Sequence, residues 1–230
     1  MNTGDLRNPA LDTLVTELQR RSADQVPSIT SYFAGRAERG DAADLVDLDS
    51  RSAAFLADKL VALEHDKALL CHRLCLALRA RRIVEIGTSY GVSTLYLAQA
   101  VRMVVAADGG SGTVIGTEHE PAKAAAARDH FRAAGLQSYI DLREGDLRRT
   151  LLDLDEPVDL ALIDIWPAMA RPALELLTPK LRAGGVLLID NTEDRPEIYR
   201  DTFDYLDDPA NGLLTQTLPF RGGLEMVVKL

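Results

Sequence analysis

Residues 82–93 read Arg-Ile-Val-Glu-Ile-Gly-Thr-Ser-Tyr-Gly-Val-Ser, and this stretch decides the fold. A short β-branched run carries an acid at Glu85, stops at Gly87, and passes through Gly91 into the helical pattern Val-Ser-Thr-Leu-Tyr-Leu-Ala. Glycines let the backbone turn sharply and approach a ligand closely, and the helix N-terminus just beyond offers unpaired amides. A nucleotide-like ligand suits such a turn. The spacing is G-x-x-x-G with Ser89 inside it, not the G-x-G-x-x-G of a dinucleotide site, so NAD is the weaker reading.

Downstream the same strand-helix rhythm continues. TVIGTE (113–118) precedes an Ala-rich helix opened by Pro121, with Ala107–Gly112 before it as a solvated turn. YIDLRE, VDLALID, a helix with Met169, Ala173, Leu176 and Leu177 on one face, and GGVLLID after a Gly184-Gly185 stop complete the series. Alternation of this kind predicts an α/β chain, a parallel sheet with helices on both faces. LLTQTLP and LEMVVKL, joined by Phe220-Arg221-Gly222-Gly223, predict an antiparallel hairpin at one end of the sheet.

Upstream the chain reads as helices. Leu11, Leu14, Val15 and Leu18 repeat at helical spacing, and Leu56, Leu60 and Leu63 extend the pattern. The stretch from Val26 to Asp41, with Tyr32, Phe33, Gly35 and Gly40, predicts a partly ordered connection that covers a site or packs on a partner subunit. A helix capped by Asp66 runs to about Arg79 and puts Cys71 and Cys75 on a core face with Leu74 and Leu78. With His72 they form an i, i+1, i+4 set that cannot close around one ion. The expected organisation is a helical extension over 1–80 and a ligand-binding domain over 81–230.

Thirty-five acidic against 26 basic side chains leave a net charge of −9, a field that repels phosphate backbones and anionic membranes. No apolar signal core opens the chain, and no membrane-spanning run of about 18 apolar residues occurs in it. The expectation is a cytoplasmic protein that binds neither nucleic acid nor membrane. No His-Ser or His-Cys nucleophile pairing is legible around His65, His72, His119 or His130, so hydrolase chemistry has no support.

VEIGTSYGVSTLYLA, the strand-ending Glu118, LIDIW, LLIDN and the closing GGLEMVVKL occur in this order, and from about Asp66 to Leu230 the chain resembles class I S-adenosylmethionine-dependent O-methyltransferases of the catechol and caffeoyl-CoA type. The resemblance implies a Rossmann-like, doubly wound seven-stranded sheet, mostly parallel with an antiparallel C-terminal strand. It implies that Glu85, Gly87, Ser89, Gly91 and Ser93 cradle the methionine part of S-adenosylmethionine. Glu118 then holds the ribose with His119 beside it, Asp146 sits near the adenine, and Trp166 packs on that ring. Asp164 ends the fourth strand and Asp190-Asn191 end the fifth, so adjacent strands bring three hard oxygen donors together. The resemblance assigns them a divalent cation, Mg²⁺ first, that orients the hydroxyls of a small-molecule acceptor, with Asp164 also on the catalytic side. It suggests a homodimer as well.

One departure stands out. The family places a lysine soon after the fourth-strand Asp, and this chain reads Asp164-Ile165-Trp166-Pro167. Three readings remain open: a metal suffices to ionise the acceptor, another group such as Lys67 or a histidine is the base, or the acceptor is not a catechol. Lys67 also reads simply as a solvated lysine at a helix start. The expected function is methyl transfer to a small-molecule hydroxyl with a divalent metal. The alternatives are a metal-independent N- or O-methyltransferase and a non-catalytic cofactor-binding protein.

Overall fold

The computed structural model describes residues 4–40, 50–154, 157–193 and 196–230. Its sheet is built from β1 (Arg82–Ile86), β2 (Thr113–Glu118), β3 (Ile140–Glu144), β4 (Val158–Ile163), β5 (Leu181–Asp190), β6 (Leu213–Leu218) and β7 (Leu224–Lys229). The strand order is β3-β2-β1-β4-β5-β7-β6. The first five strands are mutually parallel, and β7 runs antiparallel to both β5 and β6. The expected doubly wound sheet with its closing hairpin is therefore present. Its winding reverses between β1 and β4, so the loops leaving their C-terminal ends diverge and open a crevice there.

Period-two alternation sorts each strand between two cores. Ile83, Leu160, Leu162 and Leu188 face the helices α3 (His65–Leu78), α4 (Val92–Asp108) and α5 (Pro121–Ala133). Val84, Ile86, Ala161, Ile163 and Ile189 face α6 (Leu147–Thr150), α7 (Pro167–Leu177) and α8 (Arg200–Leu206). Leu11, Val15 and Leu18 of α1 (Pro9–Glu38) join the first core, and Cys71 and Cys75 are free thiols buried in it. Among the described residues no helix is long and apolar enough to cross a membrane.

Three local expectations are corrected. Residues 26–38 continue α1 straight across Pro27 and form no connection; Asp41 lies outside the described residues. Tertiary contacts hold this half of the helix: Tyr32 stacks on Phe55 with ring centroids 5.2 Å from Phe33 and 3.9 Å from Phe55, and Arg36 is buried against Ser52. Leu60 and Leu63 are buried but not helical, since α2 (Ser50–Leu56) ends before them. Their extended segment is bound by side chains of α1: Gln25 and Ser22 accept from the amides of Leu60 and Ala62, and Gln19 donates to the Leu63 carbonyl. Gly184 and Gly185, expected to stop a helix, lie inside β5 where its register against β4 shifts. A bulge, not a helix end, needs the small residues there.

Candidate active site

A cavity of about 560 Å³ opens at the C-terminal edge of β1, β2, β4 and β5, within the range of sites for drug-sized ligands, roughly 300–1,000 Å³. Gly87, Ser89, Glu118, His119, Asp146, Asp164, Trp166, Asp190 and Asn191 line it. Glu85, Gly91 and Ser93 do not. Glu85 lies on the face of β1 toward α4 and is fully buried, where its Oε2 accepts from the hydroxyls of Thr88 and Thr94. Burial pushes its pKa up to about 7, while the hydroxyls of Ser93, Thr94 and Thr88 pull it down.

The two glycines are required for packing. Gly87 has φ +94, and a Cβ on it would stand 1.9 Å from the Asp164 carbonyl oxygen. Gly91, at φ +80, would drive a Cβ to 2.4 Å from the Phe131 ring. Both therefore serve close approach of the protein to itself, at the junction of β1 with β4 and of the turn with α5. Any close approach to a ligand comes in addition to this.

Between those glycines Ser89 holds φ +49, a left-handed conformation that a residue with a side chain rarely adopts. Its amide donates to Glu118 Oε2 at 2.7 Å, and the amide of Glu120 donates to Glu118 Oε1 at 2.7 Å. Glu118 is thus a nearly buried carboxylate fixed by two backbone donors, with further lone pairs available on the cavity side. Asn191 is a second left-handed non-glycine residue, at φ +59. Backbone strain of this kind collects where a site must be held in one geometry.

The other lining residues are more varied. Asp146 caps α6 by accepting from the Arg148 amide, and the Arg148 guanidinium beside it holds its pKa down to about 2. Trp166 precedes α7 and is 41% exposed, so its ring is open to the cavity mouth and is no core filler. His119 is exposed. Residues that sequence reading missed complete the wall: Lys123, Met169, Ile198 and Tyr199, and Ala53 and Leu56 from α2. Lys123 stands in the first turn of α5, two residues after Pro121, and nothing local in the sequence marks it or α2 as cavity wall.

The β5 end holds the main surprise. Lys67, read as a possible solvated lysine, is 1% exposed. Its Nζ donates to Asp190 Oδ1 at 2.6 Å and Asn191 Oδ1 at 3.4 Å, and pairs with Glu64 Oε2 at 3.1 Å. Burial pulls the lysine pKa down, but Asp190 and Glu64 together outweigh it and hold the ammonium above the ordinary value. Asp190 itself is pushed up to about 6 by burial, with Lys67 pulling the other way. Asp164 is raised well above the usual carboxylate range, first by burial and then by Asp190 and Glu85. The three expected metal donors do share one cavity edge, yet two of them already share a cation supplied by the chain. As arranged, the set does not fit a divalent ion, because the Lys67 ammonium already occupies Asp190 and Asn191.

Residues 84–192 match the family described as "Methyltransferase domain". The chain is 33% identical over 122 residues to a catechol O-methyltransferase of Mycobacterium tuberculosis, covering 51% of this chain and 52% of that protein. It is 30% identical over 126 residues to a catechol O-methyltransferase of Niastella koreensis, covering 53% and 52%. The chain thus spans about half the length of the curated relatives it matches. Among solved structures, an O-methyltransferase from Bacillus cereus in complex with S-adenosylhomocysteine superposes with a TM-score of 0.66 at 22% identity, over 88% of this chain and 100% of that one. An O-methyltransferase of Streptomyces achromogenes, in complex with S-adenosylmethionine, gives 0.66 at 20% identity over 81% and 89%. The solved structures agree with the expected fold, and the relatives agree with the resemblance to O-methyltransferases.

Proposed function

We propose that this chain, with a methyltransferase domain over residues 84–192, is an S-adenosylmethionine-dependent O-methyltransferase of a small-molecule hydroxyl. The observation that carries the reading is a single cavity in which the glycine turn, the amide-fixed Glu118 and the Asp164–Asp190 edge converge. Bound S-adenosylmethionine would supply an activated sulfonium methyl, so the protein's task is mainly alignment and exclusion of water.

Each residue has a part suited to that task. Glu118 offers lone pairs to two ribose hydroxyls without moving, because backbone amides already fix it. Trp166 gives a flat face for the adenine, with Asp146 beside it. Met169, Ile165 and Leu56 give apolar wall that keeps water from the acceptor. Asp190 and Asn191, fixed from behind by the buried Lys67 ammonium, present one polar edge to the acceptor oxygen. Metal assistance, implied by the family resemblance, meets the Lys67 ammonium on two of its three donors, and no step is assigned to it. A cytoplasmic homodimer remains part of the reading, the dimer on the family resemblance.

The test is calorimetry with S-adenosylhomocysteine, followed by a screen of catechols, monophenols and aliphatic alcohols with methyl-labelled cofactor. Stoichiometric cofactor binding and label on an oxygen are expected. A folded protein that binds no S-adenosylhomocysteine overturns the reading, and binding without transfer to any acceptor favours a cofactor-binding protein.

A further inference from the structure

Lys67 stands 123 residues from Asp190 in sequence and reaches it from the first turn of α3. The neighbours of that turn fix the side chain: Ala68, Cys71, His72 and Cys75 bury the inner face of the helix, and Lys67 itself is almost wholly enclosed. Its ammonium has three hydrogens and three oxygen partners, on Asp190, Asn191 and Glu64. Of these only Glu64 is substantially exposed, with 48% of its side chain open.

We propose that the Lys67 ammonium is the resident cation of the acceptor site, seated on the oxygens that the family resemblance assigns to a divalent ion, so that the chain binds no such ion there. The inference rests on the function proposed above and goes beyond it. An ion bonded to Asp190 Oδ1 at the roughly 2 Å that such oxygens keep would lie within about 5 Å of the ammonium. Repulsion between the two cations in a buried site opposes that binding, and the ammonium has no solvated position to retreat to. Pro167 is consistent with the same arrangement: the lysine absent after Asp164 has a counterpart in charge that arrives from α3. The consequence is a broader acceptor class. A divalent ion chelates two neighbouring hydroxyls, whereas the Asp190–Asn191 edge that the ammonium fixes can hydrogen-bond a single acceptor oxygen, so monohydroxy phenols or alcohols suit the site as well as catechols.

The test is a Mn²⁺ titration of the S-adenosylhomocysteine-loaded protein, read by the electron paramagnetic resonance of free Mn²⁺. Wild type is expected to leave millimolar Mn²⁺ free. Lys67→Met is expected to gain one bound ion with affinity at least about tenfold above wild type, and Lys67→Met with Asp190→Asn to lose it again. One tightly bound ion in wild type overturns the proposal, as does a folded Lys67→Met that gains none. Where Lys67→Met does not fold, Lys67→Gln serves in its place, and the wild-type titration decides on its own. Cofactor loading is measured first in each preparation, so failure of the functional reading is seen separately from failure of the cation assignment.

Discussion

Glu118 and Asp190 are both nearly buried carboxylates at strand ends on the same cavity, and they are stabilised in different ways. Glu118 is held by backbone amides of Ser89 and Glu120, the first on the turn after β1 and the second two residues away. Asp190 is held by an ammonium from α3. Amides solvate a carboxylate without cancelling its charge, so the β2 end stays an anionic acceptor suited to neutral hydroxyl donors. An ammonium cancels the charge, so the β5 end becomes a closed ion pair whose removal by halves is costly. The same side-chain chemistry thus gives one end of the cavity a carboxylate with its charge uncancelled and the other a fixed cation.

Breaking the ion pair tests the comparison most severely. Lys67→Met leaves Asp190 buried without its counter-charge and should cost about 3–5 kcal/mol in urea unfolding, the range for stripping one partner from a buried pair. Adding Asp190→Asn should recover most of that loss. A cost below about 1 kcal/mol, the range of an exposed pair, would mean that Asp190 is solvated in solution and the contrast with Glu118 is void.

This contrast also explains what was legible in the sequence. The strand-helix rhythm, the closing hairpin and the position of Glu118 follow from periodicity and from partners within a few residues or on the adjacent strand. The Lys67–Asp190 pair does not, because no local pattern distinguishes a lysine at a helix start that points inward from one that points to water. Leu60 and Leu63 differ from expectation for a related reason: their apolar spacing fits a helix, but Gln25 and Ser22 of α1 take amides of this segment that a helix would use. The ligand turn alone does not explain Gly87, since the Asp164 carbonyl that excludes its side chain lies 77 residues away in sequence.

Glu85 offers a third case, a buried carboxylate held by hydroxyls alone, and it sharpens the scale. Its pKa is raised from 4.5 to about 7 in the folded chain. A raised folded-state value means that its contribution to stability is fully present below about pH 4.5 and is lost as pH rises through about 7. The difference corresponds to about 3 kcal/mol at alkaline pH. Glu85→Gln removes the titration, so from about pH 4 to about pH 8 the stability of the variant relative to wild type should rise by about that amount. Parallel pH curves for the two proteins would show that Glu85 stays solvated and that hydroxyls do not leave a buried carboxylate costly.

The smallest effect is expected at Glu118, and it separates binding from stability. Glu118→Ala removes an acceptor from two backbone amides, but Ser89 and Glu120 lie at the cavity, where water can take over those donors. Its stability cost should therefore stay near 1 kcal/mol. Cofactor binding should suffer more, because no water offers the ribose two fixed, charged acceptors; S-adenosylhomocysteine affinity should fall by about 1–3 kcal/mol, roughly 5- to 150-fold. Glu118→Gln should lie between, since it keeps one acceptor oxygen and loses the charge. Calorimetry and thermal unfolding on the same samples test this together. A large loss of stability with unchanged cofactor affinity would make Glu118 a structural clamp on the Ser89 turn, and the contrast between the two ends of the cavity would reduce to two ways of fixing a loop.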